Sequence, residues 1–192
     1  MLKYRPFEMH CHTRHSDGTF LVPQLIESVA AYGYAGLALT DHNAVTGLLE
    51  VTEELQRKNN CLVLPGIEWT TFYGHLLVIG CDRFVDWRFV TPDTIDEALQ
   101  EIRAAGGIAG VAHPCEVGSP LMCGCNWEFR VKRWDLMDYV EIWSGPDPHA
   151  SAKNGLAMPW YDALLNQGYH LAISAGRDWH GPDKPGQIPL LT

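Results

Sequence analysis

In the stretch MHCHTRHSDGTF, residues 9–20, His10 and His12 stand two positions apart with Cys11 between them, His15 close behind, and Asp17 before Gly18. Imidazole is the commonest neutral metal ligand in proteins. The segment therefore reads either as the start of a metal site or as an ordinary polar loop, and Asp17–Gly18 alone is common turn chemistry. Further candidates recur along the chain: His42 in LTDHN, Glu68 in GIEWT, His75 in GHLLVIG, His113 in AHPCE, and Asp178 and His180 in GRDWH. Each taken singly fits a satisfied core histidine or a loop carboxylate, and Asp41 reads as a cap for a following helix. Their joint occurrence points to metal. Imidazole and carboxylate without thiolate suit Zn, Mn or Fe better than a structural Cys-rich zinc site.

What could bring them together is a set of strand ends. PFEMHCH (6–12), AGLALT (35–40), CLVLPG (61–66), HLLVIG (75–80), GIAGVAH (107–113), DYVEIW (138–143) and HLAISAG (170–176) are short apolar runs. Their near-continuous hydrophobicity predicts strands buried on both faces in a mostly parallel sheet covered by helices. Residues 22–33 and 94–105 carry the i, i+3, i+4, i+7 spacing of amphipathic helices. Gly33 suits the stop of the first, and Thr94 with Glu97 forms a capping-box signature for the second. Weaker helical patterns cover 44–58 and 159–167. Strand–helix alternation without a composition break predicts one α/β domain over 1–192, a barrel or barrel-like sheet.

The candidates then fall at strand ends, where loops of an α/β barrel converge on an active site. His10 and His12, at i and i+2, share one strand face. Between Glu68 and His75 the chain is too short for a parallel crossover, which needs about a dozen residues. It must turn back, which brings His75 beside Glu68.

The 192 residues carry a net charge of -9, with 46% apolar and 19% charged residues. That describes an ordinary globular chain and argues against broad nucleic-acid binding, which relies on Lys and Arg. No apolar run approaches the roughly 20 residues of a membrane span, and the first residues lack a signal-peptide core. The expectation is a soluble, cytoplasmic protein without membrane partners. Six scattered cysteines read as reduced thiols, and the C-x-C pair Cys123 and Cys125 is a weak metal signal.

Taken in order, HCHTRHSDGTF, LALTDHN, GIEWTTFYGH, AHP and RDWH closely resemble the motifs of the PHP (polymerase and histidinol phosphatase) domain, most of all its stand-alone phosphoesterase branch. The resemblance runs from about residue 8 to 181. It implies a distorted (β/α)7 TIM-like barrel binding two or three divalent ions. His10, His12, Glu68 and Asp178 would hold one ion. Glu68 would bridge to a second held by His75 and His113, and Asp17, His42 and His180 would hold a third. Two departures stand out. Gly176–Arg177 occupies a place where many relatives have a small residue and Ser, which adds a cation beside the site. Little sequence follows RDWH, leaving IPLL (188–191) as a candidate seventh strand and any substrate-selecting insertion small or absent.

Such a centre would lower the pKa of a shared water towards ~7 and direct hydroxide at a phosphate mono- or diester of a small molecule. Glu68 and Asp178 are the carboxylates best placed to share ions. Arg14 and Arg177 would hold phosphate by bidentate bonds or else form surface ion pairs. His15 would protonate a leaving group or remain a solvated loop histidine. Glu141 reads as a carboxylate orienting a ligand histidine or as a buried, paired strand residue. Trp69, Trp143 and Trp179 would wall the pocket or belong to the core. Three rivals remain. Carbamate, ester or amide hydrolysis at the same centre is one, although no lysine ends a central strand to serve as an amidohydrolase-type bridge. A non-catalytic metal-binding domain is another, and a nuclease module the third.

Overall fold

A computed structural model describes residues 4–118, 124–146 and 151–183. Seven strands pair in chain order within one sheet: β1 (Phe7–Glu8), β2 (Gly36–Leu39), β3 (Leu62–Thr71), β4 (Gly74–Ile79), β5 (Ile108–Ala112), β6 (Tyr139–Ser144) and β7 (Ala172–Gly176). Every neighbour pair is parallel except those made by β4, which runs antiparallel to both β3 and β5. The cause is the tight turn at Phe72–Tyr73, which leaves no room for a crossover. IPLL lies outside the described residues, and the seven strands are complete without it.

The sheet closes on itself. Cys11, just past β1, bridges Trp179, just past β7. His12 N donates to the Trp179 carbonyl at 2.9 Å, and Trp179 N donates to the His10 carbonyl at 3.1 Å. The result is a nearly closed barrel whose alternation is incomplete: α1 (Val22–Ala31), α2 (Glu53–Asn59), α3 (Ile95–Ala104) and α4 (Ala152–Asn166) are its described helices.

Helix α1 buries Val22, Leu25, Ile26 and Val29, and α3 buries Ile95, Ala98, Leu99 and Ile102, the faces their periodicity predicts. Gly33 follows α1 at φ +83°, the left-handed stop that glycine adopts without strain. Some local expectations differ. The Thr94 hydroxyl makes no cap bond; it accepts from Thr91 N at 2.9 Å in the preceding turn. The 44–58 pattern divides into a 3-10 turn, Thr46–Glu50, and α2. Helix α4 begins seven residues before Pro159, which the sequence pattern reads as a helix start but which lies inside the helix. Strands β2 and β4 are buried throughout as expected, whereas Ile173 in β7 is exposed.

Candidate metal centre

Strand alternation sorts the first motif. His10 and His12 are buried inside the barrel mouth, while Cys11 between them points outward into the core under α1, its thiol donating to the Ala38 carbonyl. Burial pushes that thiol well above its ordinary value, so it is a packing residue and no thiolate ligand. The following loop hangs on Asp41. Its carboxylate accepts from Thr13 N at 2.6 Å, Thr13 Oγ1 at 2.7 Å and Ser16 Oγ at 2.8 Å. Asp41 therefore fixes the loop that presents Asp17 and caps no helix. At the other strand ends, His113 and Asp178 hold positive φ, +25° and +48°. Non-glycine residues adopt that conformation at a cost and are enriched at functional sites. Gly176 lets the barrel close tightly here, since a Cβ would lie 2.4 Å from Glu141 Oε1 and 2.6 Å from His10 Cβ.

All nine expected ligands meet around Glu68. His10 Nε2 and His12 Nε2 lie 3.2 and 3.3 Å from Glu68 Oε2, and each lies 3.3 Å from Asp178 Oδ1. Glu68 Oε1 faces His75 Nδ1 at 2.9 Å and His113 Nε2 at 3.2 Å. Asp17 Oδ1 is 3.2 Å from His180 Nε2 and 3.6 Å from His42 Nε2. Two details depart from the implied grouping: His12 also joins Asp17, His42 and His180, and Glu116 joins His113 and Asp178.

The donor chemistry fits divalent ions. His10 Nε2, His12 Nε2 and Glu68 Oε2 are buried, and no hydrogen bond satisfies any of them. Buried polar atoms normally find partners. Donors around an ion at bond lengths of 2.0–2.2 Å in tetrahedral geometry stand roughly 3.4 Å apart, close to the separations here. Outer contacts orient the rings. His10 Nδ1 donates to Glu141 Oε1 at 3.0 Å, which leaves Nε2 to face inward, and His113 N donates to Glu141 Oε2. His42 Nδ1 sits 2.6 Å from Thr70 Oγ1. Glu141 is thus both of its readings at once, a buried strand carboxylate and the partner of a ligand histidine.

Electrostatics report the same crowding. Burial by itself would raise the Glu68 carboxyl, but His10, His113 and His42 outweigh it and hold it well below the usual carboxylate range. Asp178 is held low in the same way, with His10, His12 and His113 prevailing over burial. For His10 burial opposes the proton, yet Glu141, Asp178 and Glu68 push it well above its ordinary value.

The outer candidates fare differently. Arg177 is 1% exposed, with its guanidinium 4.1 Å over the Trp179 ring, 5.2 Å from that of Tyr32, and paired with Asp183. Its side chain is thus taken up by an ion pair and two aromatic rings. Arg14 is exposed and its Nε donates to the Thr19 carbonyl. Both His15 ring nitrogens are engaged, with Thr46 Oγ1 and with Glu50 Oε1, each at 2.8 Å. Trp69 and Trp179 belong to the core, while Trp143 is partly exposed. Lys153 was not singled out for the site, yet its ammonium stands 4.0 Å from Asp178 Oδ2 and 2.8 Å from Glu116 Oε2. It arrives from the first turn of α4, not from a strand end. Burial opposes its charge, but Glu116 and Asp178 prevail and push its pKa up.

The PHP domain model matches residues 8–110, and the chain belongs to that family. Among curated relatives, the 3',5'-nucleoside bisphosphate phosphatase of Chromobacterium violaceum is 34% identical over 79 residues, 39% of this chain and 27% of that protein. The 5'-3' exoribonuclease Rnm of Escherichia coli K12 is 29% identical over 68 residues, 35% of this chain and 23% of that protein. The matches thus span about a quarter of those relatives' lengths. The fold is shared with a protein of Bifidobacterium adolescentis assigned as a metal-dependent phosphoesterase, at TM-score 0.67 and 18% identity over 99% of this chain and 93% of that one. It is also shared with a two-domain protein of Bacteroides vulgatus containing a predicted PHP-like phosphoesterase, at TM-score 0.65 and 18% identity over 93% and 52%. Among the described residues no helix is long and apolar enough to cross a membrane.

Proposed function

We propose that residues 1–192 act as one domain that holds two or three divalent ions, Zn, Mn or Fe, and hydrolyses a phosphate mono- or diester of a small molecule. The observation that carries this reading is the convergence on Glu68 of buried imidazole and carboxylate atoms that no hydrogen bond satisfies. The name of the nucleoside bisphosphate phosphatase relative supports a small phosphorylated substrate. The net charge of -9 speaks against a long nucleic acid, whatever the name of the exoribonuclease relative.

The residues divide the work. His10, His12, Glu68 and Asp178 would hold one ion, His75 and His113 a second with Glu68, and Asp17, His42 and His180 a third. Bound there, divalent ions supply Lewis acidity towards the ester oxygens and bring a water within reach of deprotonation near neutral pH. Glu141 keeps the His10 ring in the tautomer that faces inward. Lys153 sets a positive charge at the margin of a cluster otherwise rich in carboxylate, where an anionic substrate must approach.

The test is turnover of 4-nitrophenyl phosphate and its bis-ester by the full chain with added Mn or Zn, alongside elemental analysis of wild type, His12→Ala and Glu68→Ala. Wild type should turn over only with metal, and both variants should lose metal and more than about 100-fold in rate, beyond what outer-shell changes cost. Full metal with no ester turnover would leave a binding domain, and turnover of carbamates or amides alone would move the chemistry from phosphorus to carbon.

A further inference from the structure

Beside the cluster lies a cavity of about 860 Å³, with Asp17, His42 and His75 among its lining residues. Sites for small molecules occupy roughly 300–1,000 Å³, so this one has room for far more than a phosphate group. Its walls include Phe72, from the turn between β3 and β4, and Trp87 and Phe89, from the long connection between β4 and α3. Phe72 is 73% exposed and Phe89 82%. Two separate segments thus bring uncovered aromatic rings to one opening next to the ligand histidines, and exposed apolar surface so placed marks a binding site.

Two polar side chains of the outer wall are already engaged. Asn43 exchanges hydrogen bonds with the Thr70 backbone in both directions, at 2.9 Å each. The Arg88 guanidinium is held by both Asp86 carboxylate oxygens and lies 5.9 Å over the Phe89 ring. Away from the ligand histidines, the outer wall offers mainly flat aromatic surface. We propose that this cavity is a stacking subsite that takes the planar aromatic part of the ester, a nucleobase or an aryl ring, and selects it by shape over aliphatic groups. The proposal rests on the phosphoester reading above and adds the class of leaving group.

The experiment compares kcat/KM of the Mn-loaded chain for adenosine 5'-monophosphate, phenyl phosphate and glycerol phosphate, in wild type and in Phe72→Ala/Phe89→Ala. Both side chains are exposed, so the double variant should fold, which circular dichroism checks. The ratio of aromatic to aliphatic kcat/KM should favour the aromatic esters and fall about 10-fold or more in the variant, as loss of stacking predicts. An unchanged ratio overturns the subsite. The adenosine and phenyl arms tell a nucleobase from a generic aryl ring. Adenosine alone, titrated against tryptophan fluorescence, separates the two readings. Adenosine binding that the variant loses, without turnover of any phosphate ester, keeps the subsite and rejects the hydrolase; turnover without aromatic preference rejects the subsite alone.

Discussion

Lys153 Nζ and Glu116 Oε2 form an ion pair at 2.8 Å on the margin of the ligand cluster, and the same carboxylate oxygen stands 3.3 Å from His113 Nδ1. The pair joins α4 to the segment after β5 and places the ammonium beside Asp178. Lys153→Met should raise KM for phosphate esters by about 10-fold, the size of one charge-assisted contact, with metal content unchanged. Kinetics with parallel elemental analysis check this. An unaltered KM would make the pair purely structural.

Glu141→Gln should cost about 10- to 100-fold in metal affinity, as loss of an outer carboxylate partner does. The amide can no longer hold both the His10 ring proton and His113 N on equal terms. Competition with a chelator gives the affinity. If the affinity stays at the wild-type value, the His10 ring is oriented by something else.

Arg177→Met should destabilise the fold by roughly 1–3 kcal/mol, because it leaves the partly buried Asp183 without its partner, and the guanidinium also packs on Trp179. The KM of the folded fraction should not change. Urea denaturation and steady-state kinetics separate the two effects, and a selective rise in KM would return Arg177 to the phosphate.

Glu8 is fully buried, and its Oε1 accepts from His10 N and Arg177 N, tying β1 to the end of β7. Burial pushes its carboxyl up to about 7 despite those two donors. The folded value lies above the unfolded one, so this group favours folding most below about pH 4.3 and that contribution is lost as pH rises through 7, roughly 3 kcal/mol in all. In metal-free protein, Glu8→Gln should flatten the difference in stability between pH 5 and 8 and be the more stable form at pH 8. Denaturation curves of equal slope against pH for both proteins would contradict this.

The proposed ligand set is legible in the sequence because it follows a rule of position. His10, His12, His42, His113 and Asp178 each stand just past a strand, Glu68 lies within β3, and the tight β3–β4 turn sets His75 opposite Thr70, diagonal to Glu68. Such spacing survives without tertiary information. Glu116 and Lys153 lie in a loop and at a helix start, where nothing periodic marks them, and the reach of Lys153 depends on how α4 docks. Arg177 adjoins Asp178, but consecutive residues at a strand end point to opposite sides, which sets its guanidinium over the Trp179 ring. His15 is similar, since only the fold brings Glu50 to its ring. Pro159 shortens the expected α4 because proline favours first turns.

The closing bridge between Cys11 and Trp179 sets an order of events during synthesis. Of the nine proposed ligands, His10, His12 and Asp17 lie on one side of that seam, Asp178 and His180 on the other, and the remaining four come between them in sequence. A nascent chain therefore cannot assemble the full cage until residue 180 has left the ribosome. Ions held there would staple a seam that backbone hydrogen bonds already close.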